Sequence, residues 1–302
     1  MVGLLAACDG GQAPASSVHS GYPASGLVLL TPTGSVIQSA QVGSDVVAVT
    51  VSDDGKLAYV ADSAPGDVYA VELPDLQVKW KEHVGGAPFG LLIHGARLYV
   101  STYTGDQVWE LDPATGVTIA SIPIGHNGGG MALDAAGGVW VASDEGYLIA
   151  VDGAAQKGDR AFSAALVAGT LWTADYPGGF LSRVGDTGFK RNLPRPLHPF
   201  WVAPGAPDTL LISAEGNNED SDQGAVYAYD VARDSFTLLD SPLDPDQAVQ
   251  WGPATVVAAH GSRRVDVIDG GHVSQWAKGA AAVAVAPDSN LNLLVVAVNS
   301  HE

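Results

Sequence analysis

The feature that most constrains the fold of this chain is an internal repeat. Residues 98–117, LYVSTYTGDQVWELDPATGV, have nearly the same pattern of residue types as residues 58–78, AYVADSAPGDVYAVELPDLQV. Each copy is an apolar run, a polar loop with Gly-Asp, a second apolar run and a turn. Related copies recur about every 40 residues, an interval typical of β-propeller blades. The central runs of the seven copies begin at Leu57, Leu98, Val139, Thr170, Leu210, Val256 and Leu294.

The apolar runs predict β-strands. They are short, rich in Val, Tyr and Trp, and separated by Gly, Asp and Asn turns, and no window keeps a helical period. One four-stranded antiparallel sheet cannot bury both of its faces, whereas seven sheets packed around an axis bury one another. The sequence therefore predicts an all-β fold, a seven-bladed β-propeller formed by residues 26–302 as one domain.

The two ends of the chain predict how the ring closes. The last copy, AAVAVAPDSNLNLLVVAVNSHE at residues 281–302, ends after two strands. Residues 26–43, GLVLLTPTGSVIQSAQVG, have the pattern of the third and fourth strands of a blade, as in residues 67–85. We therefore expect the last blade to be closed by the N-terminal strands.

The clearest copy resembles a known repeat. Residues 52–80, SDDGKLAYVADSAPGDVYAVELPDLQVKW, are similar to the YVTN repeat of bacterial surface and periplasmic propellers, the YncE-like family. The resemblance covers about residues 26–302, weakens in later copies, and implies the propeller fold without one function, because propellers host many activities. The matching positions are Asp54, Gly55, Tyr59, Val60, Ala61, Asp62 (in place of the usual Asn) and Val68, and in the second copy Tyr99, Val100, Leu111 and Asp112.

The only cysteine lies in a short N-terminal motif. Leu5-Ala6-Ala7-Cys8 matches a bacterial lipobox, and a Gly/Ala/Pro/Ser-rich stretch follows. We interpret residues 1–25 as a truncated lipoprotein signal and flexible tether, with Cys8 lipidated and the protein anchored outside the cytoplasm, in the periplasm or at the cell surface. The basic start of a signal peptide is missing, which indicates that Met1 lies inside a longer signal. The alternative is an unmodified thiol near the terminus.

Charge limits the range of partners. The formal net charge is −19 with only 14 Lys and Arg residues, which argues against nucleic acid because phosphate binding needs a basic surface. No later segment is apolar for long enough to span a membrane, so the anchor is the only membrane contact that we expect. We also expect a monomer.

Motifs for chemistry are scarce. The sequence has no G-x-S-x-G, H-E-x-x-H, Walker or c-type haem motif, and HNGGG at residues 126–130 is interpreted as a tight turn near the axis. Two classes of function remain. The favoured one is a non-enzymatic binding or scaffold module for a protein or a small molecule. The alternative is a metal-dependent lactonase or other hydrolase, or a redox-associated propeller.

The candidate site lies on one face of the ring. The loops that lead into the first strand of each blade, and those that join its second and third strands, open on this "site face". No organic cofactor is expected. His126 and His198 are the predicted ligands of a divalent cation, because their loops lie closest to the axis. The alternative is that the four histidines of this face, His126, His198, His260 and His301, are separate and either solvated or hydrogen-bonded. The predicted ligand-binding residues are His126, His198, Asp175, Tyr176, Glu215, Asn217, His260 and His301.

Three further features have alternative interpretations. The polar loop at residues 215–224 is either a solvated insertion or, with its many oxygen atoms, a calcium site. The Arg pair in GSRR, residues 261–264, either binds an anionic group or forms an exposed turn. The recurrent tryptophans are expected to pack within and between blades; they are Trp80, Trp140, Trp172, Trp201 and Trp251.

Overall fold

The computed structural model describes residues 21–153, 155–218 and 222–300. Within these ranges the chain forms 28 β-strands and no helix, so none of the described residues forms a helix that could cross a membrane. The strands make seven antiparallel four-stranded sheets. The predicted all-β, seven-bladed β-propeller is confirmed. Residues 1–20, including Cys8, and His301 lie outside the described residues.

The first three blades follow one another along the chain. Blade 1 consists of β3 (Val46–Val51), β4 (Leu57–Asp62), β5 (Asp67–Glu72) and β6 (Gln77–His83). Blade 2 consists of β7 (Pro88–His94), β8 (Arg97–Thr102), β9 (Gln107–Leu111) and β10 (Thr118–Pro123). Blade 3 consists of β11 (Met131–Leu133), β12 (Val139–Ser143), β13 (Tyr147–Ala150) and β14 (Ala155–Lys157).

Blades 4 to 6 continue the same order. Blade 4 consists of β15 (Ala164–Val167), β16 (Thr170–Asp175), β17 (Phe180–Arg183) and β18 (Asp186–Asn192). Blade 5 consists of β19 (His198–Pro204), β20 (Thr209–Glu215), β21 (Ala225–Asp230) and β22 (Ser235–Asp240). Blade 6 consists of β23 (Pro245–Trp251), β24 (Ala254–Ala259), β25 (Arg264–Asp269) and β26 (His272–Trp276).

Blade 7 joins the two ends of the chain. Its sheet contains β27 (Ala282–Asp288), β28 (Leu293–Asn299), β1 (Ser25–Leu30) and β2 (Val36–Gln41), in that order. Strand β1 pairs antiparallel with β28 from Ser25–Asn299 to Leu30–Leu294. The prediction that N-terminal strands close the last blade is confirmed.

The hydrophobic core lies between neighbouring blades. Leu27 and Leu29 of β1 pack toward blade 1, whereas Val28 and Leu30 pack toward blade 6. Successive side chains of a strand point to opposite faces of the sheet, so a strand buried on both faces needs an unbroken apolar run. The fully buried run of β1 therefore follows from its position between two blades.

The face opposite the site face carries plain turns. Asp112 Oδ1 accepts hydrogen bonds from the backbone N–H groups of Ala114 and Thr115, at 2.8 and 3.0 Å. Gly116 follows with a φ of 75°, which glycine adopts without strain. The turn residues are thus accounted for by local backbone geometry.

Candidate functional site

The first strand of five blades has a register shift near its start, as at a β-bulge. In each case a residue that the strand ladder skips lies on the wall of a cavity on the propeller axis. A bulge redirects a side chain out of the regular ladder, which explains why the residue points toward the axis. These five bulge positions are Val47, Phe89, Phe200, Asp246 and Val283.

The axial cavity has a volume of about 570 Å³. Because inner strands from several blades enclose it, the rigid fold forms its wall. It opens among the loops of the site face. Its remaining lining residues are Ala48, Phe162, Tyr176, Trp201, Glu215, Asp244, Gln247, His260, Gly261, Arg263 and Ala284.

One wall of the cavity is aromatic. The ring of Phe162 lies 5.0 Å from that of Phe200 and 6.3 Å from that of Phe89, measured between centroids. The Tyr176 ring meets Phe162 edge-on at 5.1 Å. All four side chains are half-buried, so they offer apolar ring surface to a ligand in the cavity.

Tyr103 supports this wall from the side. Its ring stacks on Phe162 at 6.3 Å, and its hydroxyl donates to Asp144 Oδ2 at 2.6 Å. Burial, followed by the hydrogen bond to Asp144, raises the pKa of Tyr103 to about 12. The phenol therefore stays neutral at physiological pH and holds the aromatic wall in place.

Another part of the cavity wall is rich in carboxylates. Glu215 is buried at the end of β20 and accepts a hydrogen bond from the Tyr176 hydroxyl at 2.9 Å. Asp244, Asp246 and His260 form a second group, whose potential metal-ligand atoms all lie within 4.8 Å of one another. The cavity thus combines ring surface with negative charge.

His260 is held by partners on both ring nitrogens. Its Nδ1 lies 3.0 Å from Asp244 Oδ2, and its Nε2 lies 3.1 Å from the backbone carbonyl oxygen of Asn299. The first contact is within blade 6, and the second crosses to blade 7. The imidazole is therefore fixed in orientation at the cavity wall.

The Arg pair of residues 261–264 is divided between two environments. Arg263 lines the cavity and donates to the backbone oxygen of Gly279 at 3.4 Å. Arg264 instead pairs with buried Asp266 at 2.7 Å. Only Arg263 is placed to meet a ligand in the cavity.

His126 and His198 are held in separate groups. His126 Nδ1 lies 2.8 Å from Glu145 Oε2, and its ring stacks on Tyr147 at a centroid distance of 3.7 Å. His198 contacts the Tyr176 carbonyl oxygen at 3.0 Å and Asn217 Oδ1 at 3.1 Å. Neither histidine lines the axial cavity, whereas His260 does. The metal-ligand role of His126 and His198 stays a prediction.

The other predicted residues are also placed by the structure. Tyr176 and Glu215 line the cavity together with His260. Asn217 is exposed, and Asp175 caps its own loop by accepting from Gly178 N at 2.7 Å. The ligand-binding roles of these residues stay predictions. The 215–224 loop is described only at residues 215–218 and 222–224, so its calcium alternative also stays open.

The HNGGG segment is close-packed at the axis. A Cβ atom on Gly129 would lie 2.6 Å from the backbone oxygen of Phe162, and one on Gly130 would lie 2.8 Å from Trp201. Gly130 N also donates to Phe162 O at 2.6 Å. Close approach between blades therefore explains these glycines, as expected near a crowded axis, whereas Gly128, Gly129 and Gly130 lack the positive φ typical of a tight glycine turn.

Sequence reasoning missed most of the cavity wall. Phe89, Phe200 and Asp246 lie at bulge positions, and each directly follows a proline. This recurring Pro-x pair before an inner strand is a signal that could have identified them. The packing of Trp172, which is fully buried, was predicted correctly, whereas Trp201 also lines the cavity.

Known proteins resemble the chain in structure only. No family model matches it and no curated protein sequence matches it. Hydrazine synthase of Kuenenia stuttgartiensis is 16% identical with a TM-score of 0.67, covering 87% of this chain and 96% of that one. The Pseudomonas aeruginosa periplasmic gluconolactonase PpgL is 13% identical with a TM-score of 0.63, covering 84% and 96%.

A third similar structure is BamB of Moraxella catarrhalis. It is 17% identical with a TM-score of 0.55, covering 92% of this chain and 93% of that one. At such identities the likeness concerns the fold alone. The class that fold and comparisons define is the seven-bladed β-propeller.

Proposed function

We propose that this protein is an extracytoplasmic, lipid-anchored β-propeller of the YVTN-repeat type that binds a small organic ligand in its axial cavity. The observation that carries the proposal is the cavity of about 570 Å³ between an aromatic wall and a carboxylate wall. Sites for small molecules usually enclose roughly 300–1,000 Å³, with apolar surface and a few placed polar groups. The lipobox-like motif ending at Cys8 supports the anchor.

The two walls define the chemistry of the ligand. Phe162 and Phe200 offer ring surface for a planar or apolar body. Glu215, Asp244 and Asp246 offer acceptors that favour amines or hydroxyl groups. A ligand with an apolar face and a cationic or hydroxylated end matches both walls. Because the carboxylates of Glu215, Asp244 and Asp246 outnumber the guanidinium of Arg263 at the cavity, a ligand with a free carboxylate should bind more weakly.

Three probes that share one ring test this assignment. Benzylammonium, benzyl alcohol and benzoate differ in charge, and their binding is measured by isothermal titration and ligand-observed NMR with a chelator present. We expect saturable binding in the order benzylammonium, benzyl alcohol, benzoate. Phe162→Leu and Glu215→Gln should weaken benzylammonium binding.

Phe236→Leu is the matched control. Phe236 packs on Tyr229 at 4.8 Å, away from the cavity wall, so this variant should bind as the parent does. The proposal is contradicted if benzoate binds as tightly as benzylammonium. It is also contradicted if Phe162→Leu and Glu215→Gln both bind benzylammonium as tightly as the parent does. A protein partner that docks on the site face without any probe binding would point to the scaffold function instead.

A metal-dependent hydrolase is the second candidate. One structure of the same fold belongs to a gluconolactonase, but the observation on this chain that favours hydrolysis is the group Asp244, Asp246 and His260. A carboxylate-histidine set could hold a metal ion that activates water. Turnover of lactone or ester substrates that is lost in His260→Ala would favour this candidate over simple binding.

A further inference from the structure

We propose that Asp244, Asp246 and His260 bind one divalent transition metal ion of the zinc type on the wall of the axial cavity. The proposal goes beyond ligand binding and does not depend on it. It also places the metal away from His126 and His198. Each of the three residues supplies one ligand atom: a carboxylate oxygen from each aspartate and Nδ1 from the histidine.

The distances between these atoms suit a single ion. All three lie within 4.8 Å of one another, and His260 Nδ1 is 3.0 Å from Asp244 Oδ2. Zinc bonds of about 2.0–2.1 Å in a tetrahedron separate neighbouring ligand atoms by about 3.4 Å. Small side-chain rotations would therefore bring the third atom into position, with no change in the backbone.

The imidazole is oriented as a metal ligand. His260 Nε2 faces the carbonyl oxygen of Asn299, which can only accept, so Nε2 carries the hydrogen in that contact. Asp244 Oδ2 is also an acceptor, so without metal Nδ1 carries a hydrogen in that contact, and a metal ion bound between the two atoms would replace this proton. Metal-bound histidines commonly donate their other N–H to a carbonyl or carboxylate, which fixes the tautomer.

The position of Asp246 brings a second carboxylate beside Asp244 and His260. The equivalent bulge positions in other blades hold Val47, Phe89, Phe200 and Val283, so the fold needs only an apolar residue there. Asp246 is 8% exposed. The carboxylate at this bulge position therefore adds an oxygen ligand to the cavity wall that the ring itself does not require.

The donor set selects the type of metal. One imidazole nitrogen with two carboxylate oxygens suits zinc and its neighbours, whereas calcium prefers oxygen ligands alone. Three protein ligands leave a fourth tetrahedral position, and the group lines the cavity, so that position can face a ligand or water. The site has the composition of an open rather than a closed metal site.

A purely structural explanation competes with this assignment. His260 could serve only as a hydrogen-bonded link between blades 6 and 7, through Asp244 and Asn299. The two explanations differ in whether metal binds stoichiometrically. Direct metal titration therefore distinguishes them.

The experiment uses metal-free protein without a histidine tag. Co²⁺ is titrated while its visible absorption is recorded, Zn²⁺ is titrated calorimetrically, and metal content is measured after dialysis. We expect one Co²⁺ per chain, displaced by Zn²⁺. His260→Ala and Asp246→Asn should weaken binding at least about 100-fold, the upper end of what second-shell changes cost.

The control is His272→Ala. His272 is exposed at the start of β26 and does not line the cavity, so its loss should leave metal binding unchanged. Thermal unfolding without metal shows whether each variant is folded, and Asp246→Asn preserves side-chain shape if His260→Ala does not fold. No stoichiometric metal, or binding that survives both variants, overturns the proposal. Because the benzylammonium test is run with chelator, either proposal can fail without the other.

Discussion

The side-chain amide of Asn299 donates a hydrogen bond to Asp45 Oδ1 at 2.9 Å, although the two residues are 254 positions apart in the sequence. The backbone oxygen of the same asparagine contacts His260. Asn299 is fully buried, and its contacts join blades 6, 7 and 1 at the site face. Asn299 therefore contributes both to closing the ring and to positioning His260 at the cavity wall.

We expect a measurable coupling between Asn299 and Asp45. Asp45→Ala also loses the contact of Asp45 Oδ2 with Ala64 N, so the stability lost in this single variant overstates the contribution of the hydrogen bond to Asn299. A double-mutant cycle with Asn299→Ala removes this error and should give a coupling of about 1 kcal/mol, from denaturant unfolding. A coupling near zero would show that the bond does not contribute to closing the ring.

Deleting residues 1–43 should destabilise the ring by several kcal/mol. The deletion removes β1, whose four large apolar side chains are fully buried, each worth about 1.5–3 kcal/mol, and exposes the edge of β28. Deleting only residues 1–20 should cost little. Denaturant unfolding compares the two truncations with the full chain, and equal stability of all three would contradict closure by the N-terminal strands.

Asp240→Asn should stabilise the protein at neutral pH. Burial first, then the charge of nearby Asp266, raises the pKa of Asp240 from 3.8 to about 6. Between these values the folded state holds a proton that the unfolded chain has released, so the free energy of unfolding falls as pH rises through this window. The variant removes that cost, and its advantage should be largest above pH 6 and absent below about pH 4.

Thermal unfolding at several pH values measures this effect. Asp230→Asn is the control with the opposite sign, because hydrogen bonding from Arg233 N lowers the pKa of Asp230. That variant should lose stability at neutral pH and approach the parent in acid. A stability gain for Asp240→Asn that does not vary with pH would rule out carboxyl burial as its cause.

The mature protein should begin at Cys8 and carry a diacyl anchor. Stable attachment to a membrane requires two acyl chains or a chain with a second signal, and lipobox processing supplies more than one chain. Mass spectrometry of the N-terminal peptide from the native host checks this, with Cys8→Ser as the control that should remain unprocessed. An unmodified Cys8 in a chain expressed with its complete signal peptide would contradict lipidation at this residue.

The ring could be predicted because its signals are local and repeated. Apolar runs at regular intervals specify strands, and the incomplete last copy has its complement at residues 26–43. Burial between blades demands such runs, as the alternation of Leu27 and Val28 toward opposite neighbours shows. Fold and closure therefore followed from patterns that a single sequence contains.

The cavity could be predicted only in part because bulges set its wall. Strand periodicity alone gives no direction for a residue at a bulge, so Phe89 and Asp246 were missed although a proline precedes each. The approach of Asp244 to His260 depends on how two loops of blade 6 meet, which sequence spacing does not reveal. The loops indicated the correct face for Tyr176 and Glu215, but not which polar residues would share the cavity.

The pairing of β1 with β28 also orders events during synthesis. Strand β1 leaves the ribosome before all six complete blades, whereas its partner β28 emerges after them. Until then β1 has β2 on one side, whereas the edge that will pair with β28 stays open, and an open apolar strand edge is a target for chaperones, proteases and aggregation. A chain that stops before β28 keeps this strand uncovered. A complete last blade therefore distinguishes full-length chains from chains that end early, and chaperones and proteases can act on that difference.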